Sequence, residues 1–216
     1  MHTTNTINRM RPDLLTRQLL RVRDPVVCTV IQSEPVVLFS GTRNIRDVFD
    51  DLDLRTCEAS RGRVHCGTYQ RSKRLWDDEV HNFVKAQPEG GVHIAGWSLG
   101  GGCAVHTASL IRSYNFTLPK SIHIFGSPRC GDDGFARWYS HVGLGMRTTR
   151  YELERDPIVT VPRGRYTHVG RRVLLTSDDE GGLLGQHDLM LYHSELGRRL
   201  RAPSWSRTLT MQRDPS

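Results

Sequence analysis

The stretch Val92-His93-Ile94-Ala95-Gly96-Trp97-Ser98-Leu99-Gly100-Gly101-Gly102 decides how this chain is read. Its first half is a short apolar run of strand length, and from Leu99 to about Ser113 small and apolar residues continue with helical character. Between them lies a GxSxG pentapeptide, Gly96 to Gly100. A serine at a sharp strand-to-helix turn is forced into a strained backbone, and glycines on either side keep strand and helix from colliding. Such a turn lifts the Ser98 hydroxyl above the carboxyl edge of a sheet. The helix N-terminus beside it favours a developing oxyanion.

Working outward, Val26 to Ile31 and Val36 to Phe39 are β-branched runs split by Ser33, Glu34 and Pro35, which predicts a β-hairpin. Tyr69, Leu75, Trp76, Val80, Phe83 and Val84 predict a helix from about Thr68 to Ala86, ended by Pro88 and Gly90-Gly91. Strands are expected at Ser121 to Phe125, near Met146 to Leu153 and near Arg172 to Thr176, with a helix from Asp132 to Ser140. Strands alternating with helices give βαβ units and a mostly parallel central sheet with helices on both faces, an α/β fold. A short amphipathic helix follows Pro12. The expected organisation is an N-terminal basic extension or helix (1–25), a central α/β domain (26–195) and a basic C-terminal tail (196–216).

A serine hydroxyl needs a histidine within hydrogen-bond reach and a carboxylate to orient that histidine. On a parallel sheet that carries such a serine turn the chain order is serine, acid, histidine. Asp156 follows the strand ending near Leu153 and emerges at the same sheet edge as Ser98. His168, His187 and His193 lie beyond it. His168 is followed closely by the next strand, which assigns it to the opposite edge and a structural role. His187 comes after the loop following that strand, which returns it to the active edge, so it is the expected base.

The 216 residues carry 30 Lys or Arg and 23 Asp or Glu, a net charge of +7, with 37% hydrophobic residues. That length suits one domain of ordinary size. No run approaches the roughly 18 to 20 apolar residues of a spanning helix. Of the 30 basic residues 27 are Arg, spread along the whole length with no localised patch or reading motif, so nucleic-acid binding is not expected. The first 20 residues have no apolar h-region, and the five cysteines have no CxxC pair or zinc spacing. These observations predict free thiols in a reducing compartment and leave the localisation cytoplasmic or unassigned.

Together these motifs resemble the fungal-type class 3 lipases, an α/β-hydrolase family. Phe39-Ser40-Gly41-Thr42 is similar to the family's FRG(S/T) turn, His65-Cys66-Gly67 to its HxG, and Gly96 to Gly101 to its GxSLGG elbow. Phe125-Gly126-Ser127-Pro128-Arg129-Cys130-Gly131 is similar to FGxPRVG, and Asp156-Pro157, Tyr166 to Gly170, and His187 with Tyr192 follow in order. The resemblance implies a Ser98, Asp156, His187 triad, an oxyanion hole from Thr42 and Leu99, and no metal or organic cofactor. It also implies hydrolysis of lipid esters, most simply acylglycerols. Phospholipase A1, galactolipase and feruloyl-esterase activities would use the same triad. A non-catalytic basic protein binding membranes or nucleic acid is the reading of a different class.

Three departures from the pattern stand out. Trp97 occupies a position where histidine is common, Ser40 one where arginine is common, and Val161-Pro162-Arg163 replaces a double proline. After Thr42, the residues Ile45, Val48, Phe49 and Leu52 fall at i, i+3, i+4 and i+7, one apolar stripe. In the resembling lipases a helix here is a lid, so residues 44–53 are the expected lid, opening at a lipid interface to which the basic surface adds attraction if that interface is anionic.

Overall fold

The computed structural model describes residues 10–42, 55–59, 61–87, 91–178, 182 and 185–201. Its centre is a six-stranded sheet of order β1-β2-β5-β6-β7-β8, built from β1 (Val26–Ile31), β2 (Glu34–Phe39), β5 (His93–Trp97), β6 (Ser121–Phe125), β7 (Thr148–Leu153) and β8 (Arg171–Leu175). β1 and β2 form the antiparallel hairpin, turning through Gln32 and Ser33, both at positive φ. From β2 to β8 every pairing is parallel. The mostly parallel sheet of an α/β fold is therefore present.

Strand alternation explains how both faces are covered. Val37, Phe39, Ile94, Ile122 and Ile124 belong to one core, shared with Trp76, Val80, Ala104, Ala108, Ile111, Phe135 and Tyr139. Their neighbours Val36, Leu38, Ala95 and Phe125 point the other way into a second core with Leu15, Leu19, Leu189, Tyr192 and Leu196. A strand buried on both faces reads as a continuous apolar run, which is why β2, β5 and β6 were visible in the sequence.

The first core is roofed by α2 (Cys66–Leu75), a single π turn (Trp76–Val80), α3 (His81–Lys85), α4 (Leu99–Ser113) and α5 (Asp133–His141). α4 is buried from Leu99 through Ile111. Gly101, Gly102, Ala104 and Ala108 let its neighbours approach closely; a methyl group on Gly102 would lie 2.9 Å from Thr68 Cγ2. The Asp132 side chain caps α5, accepting from Phe135 N at 2.8 Å. α1 (Pro12–Leu19) and α6 (Leu189–Arg201) cover the second face.

Two features differ from the sequence reading. A small antiparallel hairpin, β3 (Thr56–Ala59) and β4 (Gly62–His65), lies apart from the main sheet. It also corrects the expectation of five free thiols, because Cys57 and Cys66 form a disulfide. The hairpin folds Cys57 back opposite Val64, bringing its Cα to 4.9 Å from that of Cys66, within bonding range. Cys28, Cys103 and Cys130 are free thiols.

No helix among the described residues is long and apolar enough to cross a membrane.

Candidate active site

Parallel register gathers the site at one edge. Phe39 pairs with Gly96, Trp97 with Phe125, Phe125 with Tyr151, and Leu153 with Leu175. The segments leaving these strands, with Thr42, Ser98, Gly126, Asp156 and His187, therefore emerge together. Crevices outside the carboxyl ends of parallel strands are where open α/β folds bind ligands.

Ser98 forms the N-terminal cap of α4 with φ 56° and ψ −131°. For a residue with a Cβ that conformation is strained and persists only where surroundings over-determine it. Here the turn is fixed by Ser98 N donating to Phe125 O at 2.9 Å and by glycines where nothing larger fits. A methyl on Gly96 would lie 2.2 Å from Gly100 O, and one on Gly100 would lie 2.4 Å from Phe39 O.

Three side chains meet in a line. His187 Nε2 lies 2.8 Å from Ser98 Oγ, and His187 Nδ1 lies 2.8 Å from Asp156 Oδ2. All three residues are buried. Asp156 is held from two further directions: its Oδ1 accepts from Ile158 N at 2.8 Å and its Oδ2 accepts from the Tyr192 hydroxyl at 2.6 Å. Burial first, and then the Asp156 charge, push the Tyr192 hydroxyl well above its ordinary pKa, which keeps its proton in place to donate.

The matching profile is that of the family described as Lipase (class 3), and it covers residues 36–166, more than half of the chain. This chain belongs to the class 3 lipase family. It is 28% identical over 141 residues to the secreted mono- and diacylglycerol lipase 1 of Fusarium solani, covering 61% of this chain and 40% of that protein. It is 26% identical over 190 residues to phospholipase A1-II 1 of Oryza sativa subsp. indica, covering 73% and 48%. The chain thus spans less than half the length of these curated relatives. Among solved structures, the Rhizomucor miehei triacylglyceride lipase superposes with a TM-score of 0.62 at 24% identity, over 71% of this chain and 62% of that one, which establishes the shared fold.

In this family member the FGxPR-like segment has a legible job. Arg129 Nη1 donates to Thr160 O at 2.6 Å and Pro162 O at 3.0 Å, tying down the segment that follows Asp156. Gly126, at φ +54°, forms the floor of the site: a Cβ there would stand 2.8 Å from Asp156 Oδ2 and 3.1 Å from both His187 Cε1 and the Tyr192 hydroxyl. The HxG histidine is structural, with His65 Nδ1 accepting from Thr68 N at 3.2 Å at the start of α2.

Of the two expected oxyanion donors, Leu99 follows Ser98 directly and Thr42 follows Gly41, which packs on the serine. Leu99 opens α4, where first-turn N–H groups have no intrahelical partner. A methyl on Gly41 would lie 2.7 Å from Ser98 Cβ, so the segment Ser40 to Thr42 runs against the serine. His168 stays out of the line, its Nε2 2.7 Å from Val159 O, and His193 Nδ1 pairs with Thr16 Oγ1 at 2.9 Å. The expected lid, residues 44–53 with Ile45, Val48, Phe49 and Leu52, lies outside the described residues. Among the described residues no group of three or more His, Cys, Asp or Glu could hold a metal ion.

Sequence reasoning missed one member of the site. The Trp97 indole stacks on the His187 imidazole, ring centroids 5.4 Å apart and planes 23° from parallel. The departure at position 97 was visible in the sequence, but its neighbour across 90 residues of chain was not.

Proposed function

We propose that this chain is a serine carboxylester hydrolase acting on lipid esters, with Ser98 as nucleophile, His187 as general base and acid, and Asp156 orienting His187. The observation that carries the reading is the pair of 2.8 Å contacts from the two His187 nitrogens, one to Ser98 Oγ and one to Asp156 Oδ2. His187 Nε2 takes the Ser98 proton as Oγ attacks the ester carbonyl. The backbone N–H of Leu99, with Thr42 as a second donor, stabilises the tetrahedral oxyanion, each such donor contributing about 3 kcal/mol. His187 then protonates the departing alcohol. Water attacks the acyl-enzyme by the same proton route in reverse and frees the fatty acid.

Acylglycerol hydrolysis is the leading substrate class, in line with the name of the Fusarium relative. The rice relative's name favours a second reading, release of the sn-1 acyl chain from a phospholipid. Head-group preference resolves the two: an ester panel of mono-, di- and triacylglycerols and phosphatidylcholine is run with Ser98→Ala as control. Expected are turnover and fluorophosphonate labelling by the parent chain and neither by Ser98→Ala; turnover retained in the variant would overturn the reading. The net charge of +7 supports peripheral contact with anionic lipid, at about 1 kcal/mol per well-placed basic residue. Hydrolysis in anionic vesicles should then fall as salt rises, and indifference to salt removes that role.

A further inference from the structure

We infer that Trp97 is a positioning residue for His187, holding the imidazole plane through the half of the cycle in which Ser98 cannot. The inference rests on the triad reading above.

A histidine's second side-chain torsion is broad, so ring tilt is not fixed by rotamer preference. In the resting site the ring is pinned at Nδ1 by Asp156 and at Nε2 by Ser98. Gly126 bounds it at Cε1. Once Ser98 Oγ carries an acyl group it has no proton to share, and the Nε2 restraint is lost. At that moment His187 must instead aim Nε2 at a water molecule. As the water oxygen bonds to the acyl carbon, its proton passes to Nε2. That proton then goes to Ser98 Oγ as the acyl carbon–Oγ bond breaks. With the ring anchored at one nitrogen, a flat partner against its face is what prevents tilt.

Trp97 is that partner, and its own placement is fixed. It is the last residue of β5, paired with Phe125, and its indole packs against the second core. A methyl on Gly41 would lie 2.8 Å from Trp97 Cε3, so the indole also backs onto the segment leading to Thr42. Among the described residues its buried Nε1 has no hydrogen-bond partner, which leaves stacking and packing as its contributions. An indole face also attracts a cation, so it favours the imidazolium that forms at each proton transfer.

The test uses the full chain with p-nitrophenyl butyrate and compares Trp97→Phe with Trp97→Leu. Trp97→Leu is expected to lower steady-state kcat about ten-fold with KM falling in step, so that kcat/KM stays within about two-fold, while the initial burst of p-nitrophenol, which reports acylation, persists. Trp97→Phe, which keeps a ring, is expected to retain at least about half of kcat. Equal loss in both variants, or full kcat in Trp97→Leu, overturns the inference. If Trp97→Leu does not give a folded circular-dichroism spectrum, Trp97→Met takes its place with the same expected values. The His187 ring C–H resonances provide a readout independent of turnover. Ring-current shielding by Trp97 should hold them upfield in the parent chain and release them downfield in the aliphatic variant; no movement overturns the stacking. Absence of any turnover abolished by Ser98→Ala, with the resonances still shifted, marks failure of the triad reading instead.

Discussion

The Tyr192 hydroxyl donates to Asp156 Oδ2 at 2.6 Å and accepts from Leu153 N at 3.0 Å, joining α6 to the end of β7 at the carboxylate itself. Tyr192 is fully buried, so neither bond is exchanged cheaply for one to water. Tyr192→Phe leaves the Leu153 N–H unpaired and releases one restraint on Asp156. The expected result is a loss of about 1–3 kcal/mol in stability and about ten-fold in kcat/KM. Urea denaturation and ester kinetics measure the two; an unchanged kcat/KM would show that Ile158 N and His187 alone hold the carboxylate.

Gly126→Ala tests the floor of the site. The added methyl meets Asp156 Oδ2 at 2.8 Å and His187 Cε1 at 3.1 Å, while the φ of +54° already disfavours a Cβ. Backbone strain alone costs about 1 kcal/mol or more. Displacing the base by a fraction of an ångström from Ser98 is expected to cost about 100-fold in kcat. Thermal denaturation and p-nitrophenyl ester kinetics check both halves, and near-parent activity would mean the site relaxes freely around residue 126.

What the sequence disclosed follows from where its signals are local. The Gly96 to Gly102 elbow, the apolar strands and the order Ser98, Asp156, His187 can be read because each depends on a few adjacent residues or on chain order. The four-residue strands Thr56–Ala59 and Gly62–His65 were missed because each is too short for its two apolar positions or fewer to establish a period, and the Cys57–Cys66 bridge depends on their pairing. The predicted continuous helix from Thr68 to Ala86 contains a π turn at Trp76–Val80, a local change that leaves the apolar face intact. Contacts spanning long stretches of chain, such as Trp97 on His187, had no signal beyond an unexpected residue type.

Buried charge in β7 was also invisible in the pattern. Glu152 Oε1 accepts from Arg150 Nε at 2.5 Å, and its Oε2 lies 2.7 Å from Arg172 Nε. Arg150 Nη1 also donates to Gly170 O at 3.1 Å, joining the strand to the turn that precedes β8. Arg150 is 2% exposed, so Glu152→Ala removes a carboxylate that a buried guanidinium bonds directly. A loss of about 3–5 kcal/mol is expected, read from urea midpoints. The replacement of Arg150 and Glu152 together by Met and Leu should cost less than Glu152→Ala; a larger loss in the double variant would mean the pair is net stabilising.

His106 provides a pH dependence with a defined sign. It is fully buried in α4, its Nε2 3.2 Å from Thr68 Oγ1, with the Tyr69 and Phe135 rings against it. Burial, with a smaller contribution from nearby His65, lowers its pKa to about 3. The unfolded chain binds a proton at this side chain near pH 6.5, whereas the folded chain refuses it until about pH 3. Between those limits the unfolded state holds more protons, so stability falls as pH falls; above pH 6.5 neither state binds and the contribution is flat. From pH 7 to pH 5 this one group is expected to remove about 2 kcal/mol. His106→Gln cannot take up a proton in either state. Its unfolding free energy, measured by urea denaturation at both pH values, should therefore drop by about 2 kcal/mol less than that of the parent chain over the same interval. Identical slopes would show that His106 takes up its proton without unfolding.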